Sequence, residues 1–267
     1  MIPDYAKDIL FSALRTGGEA LMGQLGQCAE VTVKASISSV VTKADLASEK
    51  VILEILQRTP DSCNFITEET GYIEGGTEFT WVVDPLDGTS NFAAGLPWFG
   101  VIIALFHKEF PVLGGMYLPV SGDIYISEKG AGSWKNGEAI QVTNSDSLAE
   151  HLVAYSFDFS DSPGKTESEM EILKKLSKRV RNIRSTNSLV DFCYTADGRM
   201  GGTLNQNTKI WDIAVPWLMI REGGGKVTDI QGQEIRFDLS AKGFGQNYTI
   251  LASGAGLHQP LLEVIKR

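Results

Sequence analysis

Residues 81–92 read Trp-Val-Val-Asp-Pro-Leu-Asp-Gly-Thr-Ser-Asn-Phe, and they place two carboxylates three positions apart on a constrained segment. Pro85 has no N–H and biases Asp84 towards an extended backbone. Gly88 allows a turn in which a Cβ would clash. Asp84 and Asp87 can therefore face one point. Their mutual repulsion asks for a compensating charge, and a divalent cation is the usual one. A plain Asp-Gly turn would leave its acids in solvent. Here the turn follows an apolar run, 79–83, and carries Thr89, Ser90 and Asn91. That pattern predicts a strand that stops at Asp-Pro and delivers both acids to a tight loop at its end.

The elements that must hold this loop follow from periodicity. Residues 4 to about 24 have apolar positions at helical spacing. Residues 34–43 are polar and Ser-rich and predict a surface loop. A capping-box-like Thr42-Lys-Ala-Asp45 opens a second helix that runs to about residue 58. A short strand at 63–66 precedes Glu68-Glu69, and a glycine-rich connection spans 71–78. Apolar runs at 100–106 and 110–116 flank a polar turn and read as a hairpin, with further strands at 123–127 and 133–134. These strands predict an antiparallel sheet carrying the acidic loop at one end. Composition turns polar near 144–147. Beyond it come a strand at 152–157, a polar insertion at 160–168, a charged helix at 169–180, a strand at 181–184, a helix at 188–196 and a strand at 201–204. Asp212 opens an apolar helix that reaches Arg221, with Pro216 inside it, and a glycine run ends it. Strands at 226–230 and 249–252 and a closing helix complete the chain.

At 267 residues the chain can bury a full core. Its formal charge of −9 excludes a general nucleic-acid or anionic-membrane surface, and an anionic substrate would need a local cation. The three cysteines, Cys28, Cys63 and Cys193, lack metal-site spacing and suit a reducing cytoplasm. No apolar run has membrane-spanning length. His107, His151 and His258 are isolated and predict structural or surface roles, and Trp98 and Trp134 predict packing.

Residues 84–92, Asp-Pro-Leu-Asp-Gly-Thr-Ser-Asn-Phe, resemble the signature of the inositol monophosphatase family of Mg²⁺-dependent, lithium-sensitive sugar phosphatases. Thr67-Glu68-Glu69-Thr70 resembles its Gly-Glu-Glu-Ser/Thr motif, with Thr67 in the place of the glycine. Thr42-x-x-Asp45, Trp211-Asp212-Ile213-Ala214 and Glu222-Gly-Gly-Gly225 match three more of its patterns. The resemblance implies a layered αβαβα sandwich of two subdomains, divided here as 1–146 and 147–267, fructose-1,6-bisphosphatase-like in fold and usually a homodimer.

It also implies a site. Glu68, Asp84, the Leu86 carbonyl, Asp87 and Asp212 would ligate two or three Mg²⁺ ions, with Mn²⁺ possible, because an all-oxygen ligand set selects hard cations. Two ions roughly 4 Å apart can clamp the attacking and leaving oxygens of an in-line displacement. Glu68 would hold the attacking water, Thr89 backed by Asp45 would take its proton, and Gly88 and Thr89 N–H groups would bind phosphate oxygens. Lys34 falls where the family carries a lysine in a mobile loop near the metals.

Two departures bear on the substrate. The family's small substrate-facing turn, typically Gly-Ser/Thr-Ala, is Asn187-Ser188-Leu189 here. The glutamate that binds a ring hydroxyl is Asn205. The implied activity is hydrolysis of a small-molecule phosphate monoester, first of all inositol 1-phosphate. Fructose 1,6-bisphosphate, histidinol phosphate and 3′-phosphoadenosine 5′-phosphate are alternatives with the same chemistry. A regulatory binding role, as in some relatives, is the alternative of a different class.

Overall fold

The apolar runs at 79–83, 100–106 and 110–116 lie side by side in the middle of one sheet, so both faces of these strands are buried. The structure, a computed structural model, describes residues 2–26, 32–36, 39–59, 61–158 and 162–266. In chain order these residues form α1 (Ala6–Met22), β1 (Thr32–Ser36), β2 (Ser39–Val41), α2 (Lys43–Leu56), β3 (Asn64–Thr67), β4 (Gly71–Ile73), β5 (Phe79–Asp87), α3 (Thr89–Ala93), β6 (Gly100–His107), β7 (Phe110–Leu118), β8 (Asp123–Glu128), β9 (Gly132–Lys135) and β10 (Glu138–Ala139). After a 3-10 turn at Leu148–Glu150 come β11 (Leu152–Ser156), α4 (Lys165–Leu176), β12 (Asn182–Arg184), α5 (Leu189–Ala196), β13 (Gly202–Thr208), α6 (Ile210–Glu222), β14 (Lys226–Thr228), β15 (Tyr248–Ser253) and α7 (Ala255–Lys266).

Strands β3 to β10 make one eight-stranded sheet, and β11 to β15 make a five-stranded one. Helices α1 and α2 cover one face of the larger sheet. Helices α5 and α6 fill the space between the two sheets, where the largest cluster of buried apolar side chains lies. Helices α4 and α7 cover the outer face of the smaller sheet. The result is the αβαβα sandwich. Helix α6 is buried nearly all round, as a helix between two sheets must be, which accounts for its unbroken apolar sequence. Two glycines let α1 approach closely: a Cβ on Gly18 would lie 2.3 Å from the Tyr117 ring of β7, and one on Gly17 would lie 2.7 Å from Ile52 of α2.

Several expectations are corrected. The larger sheet is mixed, because β3 and β5 run parallel. Strand β5 does not stop at Asp84-Pro85. It continues to Asp87, with Asp84 opposite Ile102 and Asp87 opposite Gly100, and the register shifts between them. That irregularity is where a strand tolerates a residue without an N–H. Within 34–43 the described residues include the antiparallel pair β1 and β2 rather than an open loop alone. The side chain of Lys34 lies outside the described residues, as does Cys28.

Helix α4 starts at Lys165, not at 169. Glu169, an acid of this charged helix, is 2% exposed because it shares a stripe with Ile172 and Leu176 at helical spacing. Strand β13 extends to Thr208, so Asn205 sits within a strand. Cys63 and Cys193 are buried free thiols. His258 is buried between Ser253 and Thr228, at 3.0 Å from each. Among the described residues no helix is long and apolar enough to cross a membrane.

Candidate active site

Helix α2 holds the acidic loop from below through three residues on one face. Asp45 accepts from both the N–H and the hydroxyl of Thr42 at 2.7 Å, while Thr42 accepts from the Ala44 N–H at 3.1 Å. This is a capping box, and it fixes the carboxylate rotamer. The other oxygen of Asp45 accepts from the Thr89 hydroxyl at 3.1 Å. One turn on, the Ser48 hydroxyl donates to the Pro85 carbonyl at 2.8 Å. Glu49 accepts from the Glu69 N–H at 3.0 Å and from the Thr70 hydroxyl. The turn that carries Glu68 is thus fastened to the same helix as the Asp84–Thr89 segment. No motif reading pointed to Ser48 or Glu49, although their spacing from Asp45 places all three on one helix face. Glu49→Ala will leave the 69–70 turn without its acceptor and loosen Glu68. Activity should fall about 10–100-fold, as for outer residues that orient metal ligands, at unchanged secondary structure by circular dichroism.

Strand β5 delivers Asp84 and Asp87 to the floor of a cleft of about 410 Å³. Asp84 is 2% exposed, and its carboxylate accepts from the Leu86 N–H at 3.0 Å. Gly88 then turns with φ of 83°, and a Cβ there would lie 2.5 Å from the Trp98 carbonyl. Asp87 accepts from the N–H of Leu189, at the start of α5. Asp212 arrives from α6. It is not the residue that opens α6, as expected, but the third residue of the helix, and it accepts from the Lys209 N–H at 2.6 Å. Carboxylate oxygens of Asp84, Asp87 and Asp212 all lie within 4.8 Å of one another.

Burial pushes the carboxyls of Asp87 and Asp212 up to about 7. For Asp212 the next cause is the charge of Asp87, and for Asp87 the Leu189 N–H opposes the rise while Glu68 adds to it. Asp84 is raised well above the usual carboxylate range, first by burial and then by Glu68, Asp87 and Asp212. Asp45 is raised by burial, against the donors Thr42 and Thr89. Oxygen-only donors, mutually repelling and within one ligand sphere of each other, fit a hard divalent cation.

The cleft is also lined by Glu68, Leu86, Gly88, Thr89, Asn187, Ser188 and Asn205. Among the described side chains, the structure therefore brings together every site residue expected from the sequence except Asp45, which lies beneath Thr89. It adds lining residues that no motif announced: Ser156, Asp158, Asn207, Lys209 and Phe244. Behind the lining, Asp191 accepts from the Ser156 hydroxyl at 2.9 Å and the Thr186 N–H at 3.2 Å. Asn91 donates to the Trp98 and Thr186 carbonyls at 2.9 and 2.8 Å, which ties the acidic loop to the turn before α5.

Residues 4–263 match the model of the inositol monophosphatase family. This chain belongs to the inositol monophosphatase family. As a member it is a metal-dependent phosphatase. An inositol-1-monophosphatase of Caulobacter vibrioides is 33% identical over 262 residues, 96% of this chain and 99% of that one. A fructose-1,6-bisphosphatase/inositol-1-monophosphatase of Aquifex aeolicus is 30% identical over 96% of this chain and 93% of its own. Among solved structures, the extragenic suppressor protein suhB from Bartonella henselae superposes with a TM-score of 0.89 at 29% identity, covering 99% of both chains. Within the family, Asn187 stands in left-handed backbone, φ 54°, which asparagine tolerates better than other side chains. The turn thus carries a polar side chain into the cleft.

Proposed function

We propose that this family member hydrolyses a small phosphate monoester of a polyol, inositol 1-phosphate first, by direct attack of water with Mg²⁺ as the resident cation. The observation that carries this reading is the convergence of Asp84, Asp87 and Asp212 beside the hydrogen-bonded Thr89–Asp45 pair. Glu68, Asp84, the Leu86 carbonyl, Asp87 and Asp212 are the residues that would hold Mg²⁺, or Mn²⁺, two or three ions in all. Bound cations supply Lewis-acid polarisation of the phosphoryl group and offset the negative charge of site and substrate.

The remaining roles belong to the chain. The Thr89 hydroxyl has one hydrogen and two acceptors in reach, Asp45 at 3.1 Å and the Leu86 carbonyl at 3.0 Å. Donation to Asp45 leaves the Leu86 carbonyl free to ligate and the Thr89 oxygen free to accept from water. A proton leaving that water then has a path through Thr89 to Asp45, whose carboxyl burial already holds above its ordinary value. Gly88 and Thr89 N–H groups bind phosphate oxygens at the left-handed turn. Asn187, Ser188, Asn205 and Asp212 meet the alcohol portion. The homodimer that the family resemblance implies and the cytoplasmic setting that the cysteines suggest complete the reading.

Phosphate release with Mg²⁺ from inositol 1-phosphate, histidinol phosphate, fructose 1,6-bisphosphate and 3′-phosphoadenosine 5′-phosphate tests it. Inositol 1-phosphate should lead, and chelator should stop release. If another ester leads, the polyol assignment falls. If none is hydrolysed while Mg²⁺ still binds, a regulatory binding role replaces it.

A further inference from the structure

We infer that the Asn187–Asp158 pair selects the leaving group, favouring phosphate monoesters whose alcohol carries hydrogen-bond donors, hydroxyl or ammonium, and rejecting those with a second phosphate. The inference rests on the phosphatase reading above and narrows it.

Asp158 follows the end of β11 and reaches the cleft from the five-stranded sheet. Its Oδ1 accepts from the Asn187 side chain at 2.7 Å. A carboxylate can only accept, so the asparagine presents its Nδ2 to Asp158, and its carbonyl Oδ1 is left as an acceptor. Asp158 Oδ2 is a second acceptor beside it. The neighbouring hydroxyls are engaged elsewhere: Ser156 donates to Asp191, and Ser188 caps α5 and pairs with Thr186 at 3.0 Å. Asn205 accepts from the Asn207 N–H at 2.8 Å through its Oδ1, which leaves the two hydrogens of its amide nitrogen as neutral donors. This part of the wall therefore carries one charged group, the Asp158 carboxylate, with the Asn187 carbonyl as a neutral acceptor beside it, while the donors that Asn187 and Asn205 keep are neutral amide N–H groups. Hydroxyls and ammonium groups complement that wall.

A second phosphate meets the opposite. It would approach the Asp158 carboxylate, and like charges at close range in a cleft are costly. Lys209 is the one basic side chain among the described lining residues, and its Nζ donates to the Gly245 carbonyl at 2.7 Å. No lining guanidinium is present among the described residues to clamp a second phosphate. The left-handed backbone at 187 matters because it aims the side chain at Asp158 from a turn where a glycine would supply none.

The test uses the full chain with Mg²⁺ and three esters: inositol 1-phosphate for a neutral polyol, histidinol phosphate for an ammonium-bearing alcohol, and fructose 1,6-bisphosphate for a second phosphate. Wild-type kcat/KM should be higher for a donor-bearing monophosphate than for the bisphosphate. Asp158→Asn should raise KM for the donor-bearing esters about tenfold, the loss of a hydrogen bond to a charged group, with kcat within about threefold. The same change should raise kcat/KM for the bisphosphate several-fold. A loss larger for histidinol phosphate than for inositol 1-phosphate would assign the site to ammonium, and equal losses would assign it to hydroxyls. Asn187→Gly, which keeps the turn and removes the latch, should move preferences in the same direction. Unchanged relative kcat/KM values in Asp158→Asn, or a wild-type preference for the bisphosphate, would overturn the inference. If no ester is hydrolysed, the phosphatase reading is what fails. Selection is then read from calorimetric binding of the same three esters, where equal affinities in wild type and Asp158→Asn would sink the pair's role.

Discussion

Asp212→Asn and Asp87→Asn are each expected to lower kcat on the order of 10³-fold while the fold persists. The asparagine keeps the oxygen that each aspartate uses within the protein, accepting from Lys209 N–H at position 212 and from Leu189 N–H at position 87. What is lost is the negative charge. The two residues come from β5 and α6 and lie, with Asp84, within 4.8 Å of one another, so losing either removes one of three charges that would hold a cation there. Phosphate release against Mg²⁺ concentration, together with far-ultraviolet circular dichroism, separates this from unfolding. A fully active Asp87→Asn protein would sink the catalytic scheme.

The metal-free protein should lose stability as pH rises from about 4 to about 7, and a divalent cation should restore it. Burial raises the Asp87 and Asp212 carboxyls from 3.8 to about 7, and Asp84 is also raised. In this window the folded state holds protons that the unfolded state has released. Stability is therefore fully present below the unfolded value and declines as pH passes through the folded one. Asp87 and Asp212 repel each other within 4.8 Å and are partly exposed to the cleft, so the loss is set at on the order of 2–4 kcal/mol, not the sum over both groups. That corresponds to about 5–10 °C in Tm for a chain of this size.

Mg²⁺ at pH 8 should recover most of it, by binding the ionised folded site and not the unfolded chain. Asp84→Asn sharpens the test, because its amide oxygen still accepts from Leu86 N–H and one repelling charge is gone. Its metal-free Tm at pH 8 should exceed that of wild type, and its response to Mg²⁺ should shrink. A metal-free Tm that is flat from pH 4 to 8 would contradict the electrostatic account.

The acidic loop was legible because its chemistry is local. Asp84, Pro85, Asp87 and Gly88 impose their geometry through residues they touch in sequence. The same holds for the Thr42–Asp45 capping box and for the apolar periods of the helices and strands. The misplacements have one cause. The end of β5, the parallel pairing of β3 and the burial of Glu169 depend on which surface packs against them, and no residue type announces that surface. Strand β5 runs through a proline because β6 continues opposite it. Glu169 is buried because its stripe on α4 faces the smaller sheet.

By itself the sequence determined the kind of site: oxygen ligands on a strained turn, a threonine backed by an aspartate, and a distant third acid at the start of an apolar helix. Spacing and residue type suffice for that, since ligand chemistry is a property of side chains. Only the tertiary structure decided that Glu49 and Ser48 fasten the two acidic segments to one helix, that Asn91 ties the loop to the turn before α5, that Asp191 takes the Ser156 hydroxyl, and that Asp158 meets Asn187 in the cleft. These residues act across separations of 20 to 95 positions. A contact between distant segments is fixed by how sheets and helices stack, and it leaves no pattern in the chain.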